Sequence, residues 1–253
     1  MYNDTIPVID TDQMKEVDRL MTDCYGISLQ QMMENAGRNL AMLTKKILDD
    51  DISRKKICIA VGNGNNGGGG LVAARHLSNW GAEITILVAK PEARFKSIPA
   101  RQLETVRHLP ISVVFADSHF DYINWNECDL IIDAILGYGL NREPDQNVSK
   151  IIQAINTMRC PIISLDTPSG LHTTNGVSFE NVVRADVTLT LALPKVGLIN
   201  TEAKEYVGDL YLGDISVPPL LYSQLGIKVK PFFGKNPVIH YAERDNRVIK
   251  MAE

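Results

Sequence analysis

The stretch 62–70 reads GNGNNGGGG: six glycines, three asparagines and no charge. Glycine permits φ > 0 and lets backbone come close to a ligand. Successive N–H groups at the start of a helix form a cradle for an anion. Asn65 and Asn66 tolerate left-handed conformations and carry neutral oxygen donors. A tight strand-to-helix turn needs one or two glycines, so six point to binding. Gly62, Gly64 and Gly67 spell GxGxxG between an apolar run and a helix-like run, the right context for a dinucleotide fingerprint. The acid that usually holds the ribose is missing, because the end of the second strand falls near Lys90. There is no GK[ST] and no YxxxK, so neither a P-loop nor a short-chain dehydrogenase is expected.

Two carboxylates stand out beside the tract. Asp133 lies in the apolar run LIIDAILGYGL, where a carboxylate is costly unless it meets a cation or several donors. Asp166 follows PIISL and opens DTPSG, where Pro168 breaks the ladder and Ser169-Gly170 turns the chain. Asn66, Asp133 and Ser169 could together supply hard oxygen ligands to a cation. The alternatives are a hydrogen-bonded Asp133 satisfied by loop amides and an Asp166 that caps its own turn. Asp186 reads as structural. His76, His108, His119, His172 and His240 show no metal spacing. His76 reads as packed or solvated, and His172 is a weaker candidate to face a site. Lys195, in LALPKVGL, either holds a phosphate or ends its strand in solvent.

These residues need a frame. From Lys55 onward strands and helices alternate, with strands expected at 56–61, 84–89, 111–116, 129–136, 161–165 and 187–193 and helices at 71–80, 98–109 and 147–158. Continuously apolar strands such as ITILV and PIISL suit a parallel sheet covered on both faces. The expectation is an α/β, three-layer αβα Rossmann-like fold with a mostly parallel sheet. Ligands of such sheets bind beyond the carboxyl ends of the strands, where the tract, Asp133 and Asp166 should meet. Two extra amphipathic helices precede the sheet. Met14, Val17, Leu20, Met21 and Cys24 form one stripe; Leu29, Met32, Met33, Ala36, Leu40, Leu43 and Ile47 form the other, behind a capping box at Ser28 and Gln31. The methionines read as core or dimer interface. Residues 209–217 offer one more strand. The tail 218–253 has no clear periodicity and is expected to wrap the surface of a single domain spanning 1–253.

The 253 residues, 45% of them hydrophobic, suffice for a sizeable core. A net charge of −4 argues against general nucleic-acid binding, though a local basic groove stays open. Three of the four cysteines lie in apolar, strand-like runs and read as reduced core thiols. The N-terminal MYNDTIPVIDTDQ has neither a basic region nor an apolar segment, so no signal peptide is expected. No apolar run approaches a membrane span of ~18 residues. The expected setting is cytoplasmic.

Taken in order, GISLQQMMENAGR, GNGNNGGGGLVAARHL, DAILGYGL, SLDTPSGL and LTLALPKVGL resemble the YjeF N-terminal domain family, over roughly residues 10–215. The resemblance implies NAD(P)H-hydrate epimerase activity: interconversion of the R and S forms of NADHX or NADPHX, the hydrated reduced cofactors. It implies one potassium ion per subunit, with Asn66, Asp133 and Ser169 as ligands. It implies substrate binding by Asn65, Asn66, Gly67, Gly68 and Gly69, and by Gly137, Tyr138, Gly139, Leu140, Asn141, Arg142 and Glu143. Asp166 matches the family's substrate-binding aspartate and is the first choice for acid/base catalysis, which needs a positioned titratable group. The resemblance also implies a homodimer, and a separate ADP- or ATP-dependent dehydratase as functional partner.

One departure bears on activity. The family usually reads NNGGDG, and this chain has Gly69 where that aspartate stands. Loss of an acid/base group lowers rates by about 10²–10⁴. The alternative is therefore a non-catalytic nucleotide-, RNA- or protein-binding module of the same fold. Thr167, where isoleucine or valine is common in the family, is a milder change.

Overall fold

Local sequence signals start the fold. Asp10 caps α1 (Thr11–Asp23) and Ser28 caps α2 (Leu29–Ile47), each through a capping box closed by Gln13 and Gln31. In both helices the side chain of the cap accepts from an otherwise unpaired N–H of the first turn. The structure, a computed structural model, describes residues 6–119, 125–242 and 247–249. After α2 the chain alternates through β1 (Lys56–Val61), α3 (Asn65–Asn79), β2 (Glu83–Val88), α4 (Ser97–Arg107), β3 (Ser112–Phe115), the short α5 (Ala116–His119), β4 (Leu130–Ala134), α6 (Gln146–Ile155), β5 (Ile162–Leu165) and β6 (Val187–Leu191). It closes with α7 (Lys204–Val207), β7 (Asp209–Gly213), α8 (Pro219–Gln224), β8 (Val238–Ala242) and β9 (Arg247–Ile249).

The strands form one sheet in the order β3-β2-β1-β4-β5-β6-β7-β8-β9. Pairing is parallel from β3 to β7 and antiparallel for the last two strands. The expected mostly parallel αβα arrangement is therefore present. The direction of winding reverses between β1 and β4, and that reversal opens a crevice at their carboxyl ends. Helices α2, α3 and α4 pack their apolar residues with one face of the sheet, and α6 covers the other. Helices α1 and α8 join a third cluster at the β6–β7 end.

Three differences from the expected elements are informative. The helix expected at 71–80 begins at Asn65, so most of the glycine tract is its first turns rather than a loop. The tail expected to wrap the surface instead contributes α8 and two strands that extend the sheet; residues 243–246 and 250–253 of it lie outside the described residues. Cys24, expected on the buried stripe of α1, is exposed at that helix's end. Cys58, Cys128 and Cys160, distant in sequence and read as core thiols, share one apolar cluster, Cys58 buried and the other two half-buried. Among the described residues no helix is long and apolar enough to cross a membrane.

Glycine is required in α3 by proximity. A Cβ on Gly67 would lie 1.9 Å from the Gly62 carbonyl oxygen, one on Gly68 2.5 Å from Met33 Sδ and one on Gly70 2.7 Å from Ala134 Cβ. The helix start is thus pressed against β1, β4 and α2, and side chains at 67 or 70 would lift it off the sheet. At Gly64, by contrast, nothing lies within 4 Å. Urea unfolding should separate the two: Gly67→Ala is expected to lose about 3 kcal/mol through overpacking against backbone. Gly64→Ala, at the cap of the helix, should lose at most about 1 kcal/mol.

Candidate functional site

Three strand ends and one helix start converge at the crevice. A cleft of about 580 Å³ opens there, lined on one side by Asn65, Asn66 and Gly69 of α3 and on the other by residues 135–142 after β4. Leu165 and Asp166, at the end of β5, form its floor. Met14 and Asp18 of α1 and Met32, Met33 and Ala36 of α2 form a further wall. The second-helix methionines, read as core or dimer interface, thus give the cleft an apolar side. Lys15, Lys96 and Arg142 stand at its rim.

Asp166 is the most constrained residue of the site. Its backbone is left-handed, with φ 66°, and its side chain is nearly fully buried. Its oxygens do not cap the DTPSG turn. Oδ1 accepts from Lys195 Nζ at 2.7 Å, and Oδ2 accepts from the Tyr138 backbone N–H at 2.9 Å. Lys195 is completely buried and also donates to Thr190 Oγ1 and the Leu191 carbonyl. It is therefore neither a solvated strand end nor a free phosphate ligand. It is the cation that matches Asp166. Sequence spacing could not pair two residues 29 positions apart, although a lysine inside LALPKVGL is an unusual interruption of an apolar run.

Asp133 is fully buried and carries four hydrogen bonds. Oδ1 accepts from Ser169 Oγ at 2.6 Å and from the Ile135 N–H at 3.2 Å. Oδ2 accepts from the Ser169 N–H at 2.8 Å and from Ser164 Oγ at 2.9 Å. This is the hydrogen-bonded alternative for Asp133. Burial pushes its carboxyl above the usual range, against the lowering effect of these donors. Ser169 Oγ accepts in turn from the Leu136 N–H at 2.9 Å. Asn66 donates through its amide nitrogen to the Leu165 carbonyl at 3.2 Å. Gly137 lets Asn66 and Asp166 share a wall: a Cβ there would lie 3.1 Å from Asp166 Oδ2 and 3.2 Å from Asn66 Cγ. Asp133 and Ser169 sit beneath the cleft lining, and Asn66 sits in it.

Other expected site residues divide. Gly69 and residues 137–142 line the cleft; Gly67 and Gly68 are packed away beneath it. Glu143 turns elsewhere, and its Oε1 accepts from the Glu180 N–H at 3.0 Å. His172 packs with Phe179 and lies outside the cleft lining. His76 is tied to Glu34 at 2.9 Å and stacks near Trp80, so the packed reading holds. Asp186 accepts from the Ile162 N–H and is structural, as expected. Lys90 pairs with Asp145, the cap of α6. A Cβ at Gly69 would lie close to one group, the end of the Leu165 side chain, with Cδ2 at 2.8 Å. The Thr167 hydroxyl is buried with no hydrogen-bond partner. Among the described residues no group of three His, Cys, Asp or Glu side chains is placed to hold a metal ion.

Sequence reasoning missed two groups. One is Lys195 as the partner of Asp166. The other is Asp18, whose carboxylate accepts from the Tyr138 hydroxyl at 2.5 Å. The available signal was an acid four residues after Met14, inside the apolar stripe of α1.

A family model described as "YjeF-related protein N-terminus" matches residues 29–197. An NAD(P)H-hydrate epimerase of Dehalogenimonas lykanthroporepellens is 36% identical, covering 88% of this chain and 86% of its own length. An NAD(P)H-hydrate epimerase of Truepera radiovictrix is 32% identical over 89% of this chain and 96% of its own. A bifunctional NAD(P)H-hydrate repair enzyme of Thermofilum pendens is 36% identical over 86% of this chain, which spans 42% of that protein's length. In structure, the chain superposes on the crystal structure of yeast ynu0, YNL200c, with a TM-score of 0.80 and 22% identity, over 93% of this chain and all of the other.

The Lys195–Asp166 pair should dominate local stability. Lys195→Met would leave a buried carboxylate without its cation and is expected to lose about 3–5 kcal/mol in urea unfolding. The double variant Lys195→Met with Asp166→Leu should recover most of that loss, because an apolar pair replaces the ionic one.

Proposed function

Because the chain belongs to the family described as YjeF-related protein N-terminus, we propose that it interconverts the R and S epimers of hydrated NADH or NADPH. The observation that carries this reading is the buried Asp166, held by Lys195 and by the Tyr138 N–H at the floor of a nucleotide-sized cleft. The names of the relatives that match across most of their own length support it.

The chemistry follows from the substrate. The hydroxyl of the hydrate sits on a ring carbon bonded to the ring nitrogen. A proton on the departing oxygen and the electron pair of that nitrogen release water and leave a planar cation. Water then adds to the opposite face and gives up a proton. Asp166 takes part in this proton exchange, and its orientation is set before the substrate arrives, so little reorganisation is needed during reaction. The first turn of α3 presents its N–H groups to the anionic end of the substrate without a carboxylate to repel it. Lys15, Lys96 and Arg142 at the rim favour the same phosphate groups. The methionine wall gives the ring an apolar side to pack against.

The reading includes a homodimer and one potassium ion per subunit. The donor set is of the right kind for such an ion, one buried carboxylate, Asp133, with the neutral oxygens of Ser169 and Asn66, and an ion there would compete with the hydrogen bonds that Asp133 accepts from Ser164 and Ser169. No lysine or arginine among the described residues pairs with Asp133, so a monovalent cation would offset its charge. Asn66, Asp133 and Ser169 would hold the ion, which when bound would stiffen the loop after β4. The working compartment on this reading is cytoplasmic, which suits four free thiols. A dehydratase would consume the epimer made here. The bifunctional relatives, of which this chain matches 42% and 40% of the length, support that pairing.

Two measurements test the reading. With a purified epimer of NADHX or NADPHX, the protein is expected to bring the mixture to equilibrium, followed by chromatographic separation of the two forms. Asp166→Asn should slow this by about 10²-fold or more. Tight binding of the hydrates without any interconversion would instead establish the binding-module alternative. For the ion, melting in potassium chloride should exceed melting in choline chloride at equal ionic strength. A hundredfold excess over the dissociation constant corresponds to about 2.7 kcal/mol. Asp133→Asn should abolish the difference; equal melting of the native protein in both salts would remove potassium from the reading.

A further inference from the structure

Tyr138 joins two carboxylates. Its backbone N–H donates to Asp166 Oδ2 at 2.9 Å, and its hydroxyl donates to Asp18 Oδ2 at 2.5 Å. All three residues line the cleft. The acids are thus held one tyrosine side chain apart, on two different elements. Their surroundings differ. Asp166 has the Lys195 ammonium against it, whereas Asp18 makes no ion pair among the described residues, its helix neighbours Lys15 and Arg19 being turned to Asp12 and Glu16.

Epimerisation is two-sided. Water leaves one face of the ring and returns to the other, so a single fixed carboxylate serves only one of the two events well. In glycoside hydrolysis, two carboxyl groups roughly 6.5–9.5 Å apart solve the same problem, one as acid and one as base across a water. Position 69 supplies no carboxylate here.

We propose that Asp18 is the second proton-handling carboxylate of the cleft, acting from the side opposite Asp166, with Tyr138 as the residue that positions it. This rests on the epimerase reading above. In one direction Asp18 gives its proton to the departing hydroxyl oxygen. The C–O bond breaks, the ring nitrogen's pair forms a C=N bond, and water leaves. A water on the other face attacks the same carbon, the pair returns to nitrogen, and the surplus proton goes to Asp166. Solvent carries that proton back to Asp18. The reverse reaction exchanges the two roles.

The environment of Asp18 suits an acid. Burial pushes its carboxyl above the usual range; the Tyr138 hydroxyl and the Lys195 charge oppose this, and the Asp166 charge adds to it. Tyr222 on α8 also interacts with Asp18; its own hydroxyl is pushed up mainly by burial, with the Asp214 and Asp18 charges adding to this. An acid must be protonated to act, so activity should be present below the Asp18 pKa and fall as pH rises through it.

The test measures kcat, KM and their pH profiles for epimer interconversion in the full chain, with melting temperatures as a fold control. Asp18→Asn is expected to lower kcat by about 100-fold or more and keep KM within about threefold. Asp18→Glu should recover part of the loss. Tyr138→Phe removes a bond that favours charged Asp18, so the basic limb of the profile should move to higher pH. Native kcat and an unchanged profile in Asp18→Asn, beside an Asp166→Asn variant that is inactive, would overturn the inference while leaving the epimerase reading intact. If Asp18→Asn does not fold, Tyr138→Phe decides, and an unmoved basic limb overturns the proposal. Absence of interconversion by the native protein would overturn both.

Discussion

A buried ammonium and carboxylate 2.7 Å apart, Lys195 and Asp166, set the conditions for the rest of the site. Both charges are out of water, and such a pair persists only where the remaining donors and acceptors are also satisfied. Here they are. Lys195 has three acceptors, Asp166, Thr190 and Leu191, for its three N–H groups. Asp166 uses its second oxygen on the Tyr138 N–H. That second bond fixes the loop after β4. The strain of a left-handed Asp166 is held in place by the same contacts and by its N–H bond to the Leu189 carbonyl.

The pair also organises the N-terminal helix. Ile9 lies beside Lys195 in an isolated parallel bridge, with its N–H on the Pro194 carbonyl and its carbonyl on the Val196 N–H. Asp10, the next residue, caps α1. The segment that carries the buried lysine therefore also aims the helix that carries Asp18 across the cleft. A shift of this segment would move the cation of one carboxylate and the backbone beneath the other together.

Opposite this charged side, α3 is built on the removal of side chains. Its start touches the Gly62 carbonyl and Ala134 too closely for any Cβ at 67 or 70, and a Cβ at 68 would displace the end of the Met33 side chain. That contact aims the helix N-terminus at the crevice between β1 and β4, where the dipole favours an anion. The same tract thus serves packing and ligand approach, which is why its glycine content exceeds what a turn requires. The cleft has an anion-attracting end, an apolar methionine side and two differently held acids, Asp166 on its floor and Asp18 on a wall. That polarity matches a molecule with phosphates at one end and a small ring at the other.

The sequence by itself determined the alternation of elements, the parallel core strands, both capping boxes and the convergence of the glycine tract, Asp133 and Asp166 at one sheet edge. These rest on local chemistry and periodicity, and strand β1 was legible to the residue. It also carried the family resemblance through five ordered motifs. Only the tertiary structure decided what each polar group meets. Asp133 satisfied itself on Ser164, Ser169 and Ile135, Lys195 went inward to Asp166, Glu143 turned to residue 180, and Asp18 reached Tyr138 across 120 positions. The extent of α3 was hidden for a related reason. Glycine is a poor helix former, so local propensity ended the expected helix at Leu71, while close packing against β1 and β4 extended it back to Asn65. Partner choice among buried polar groups depends on contacts between distant segments, and no local pattern records them.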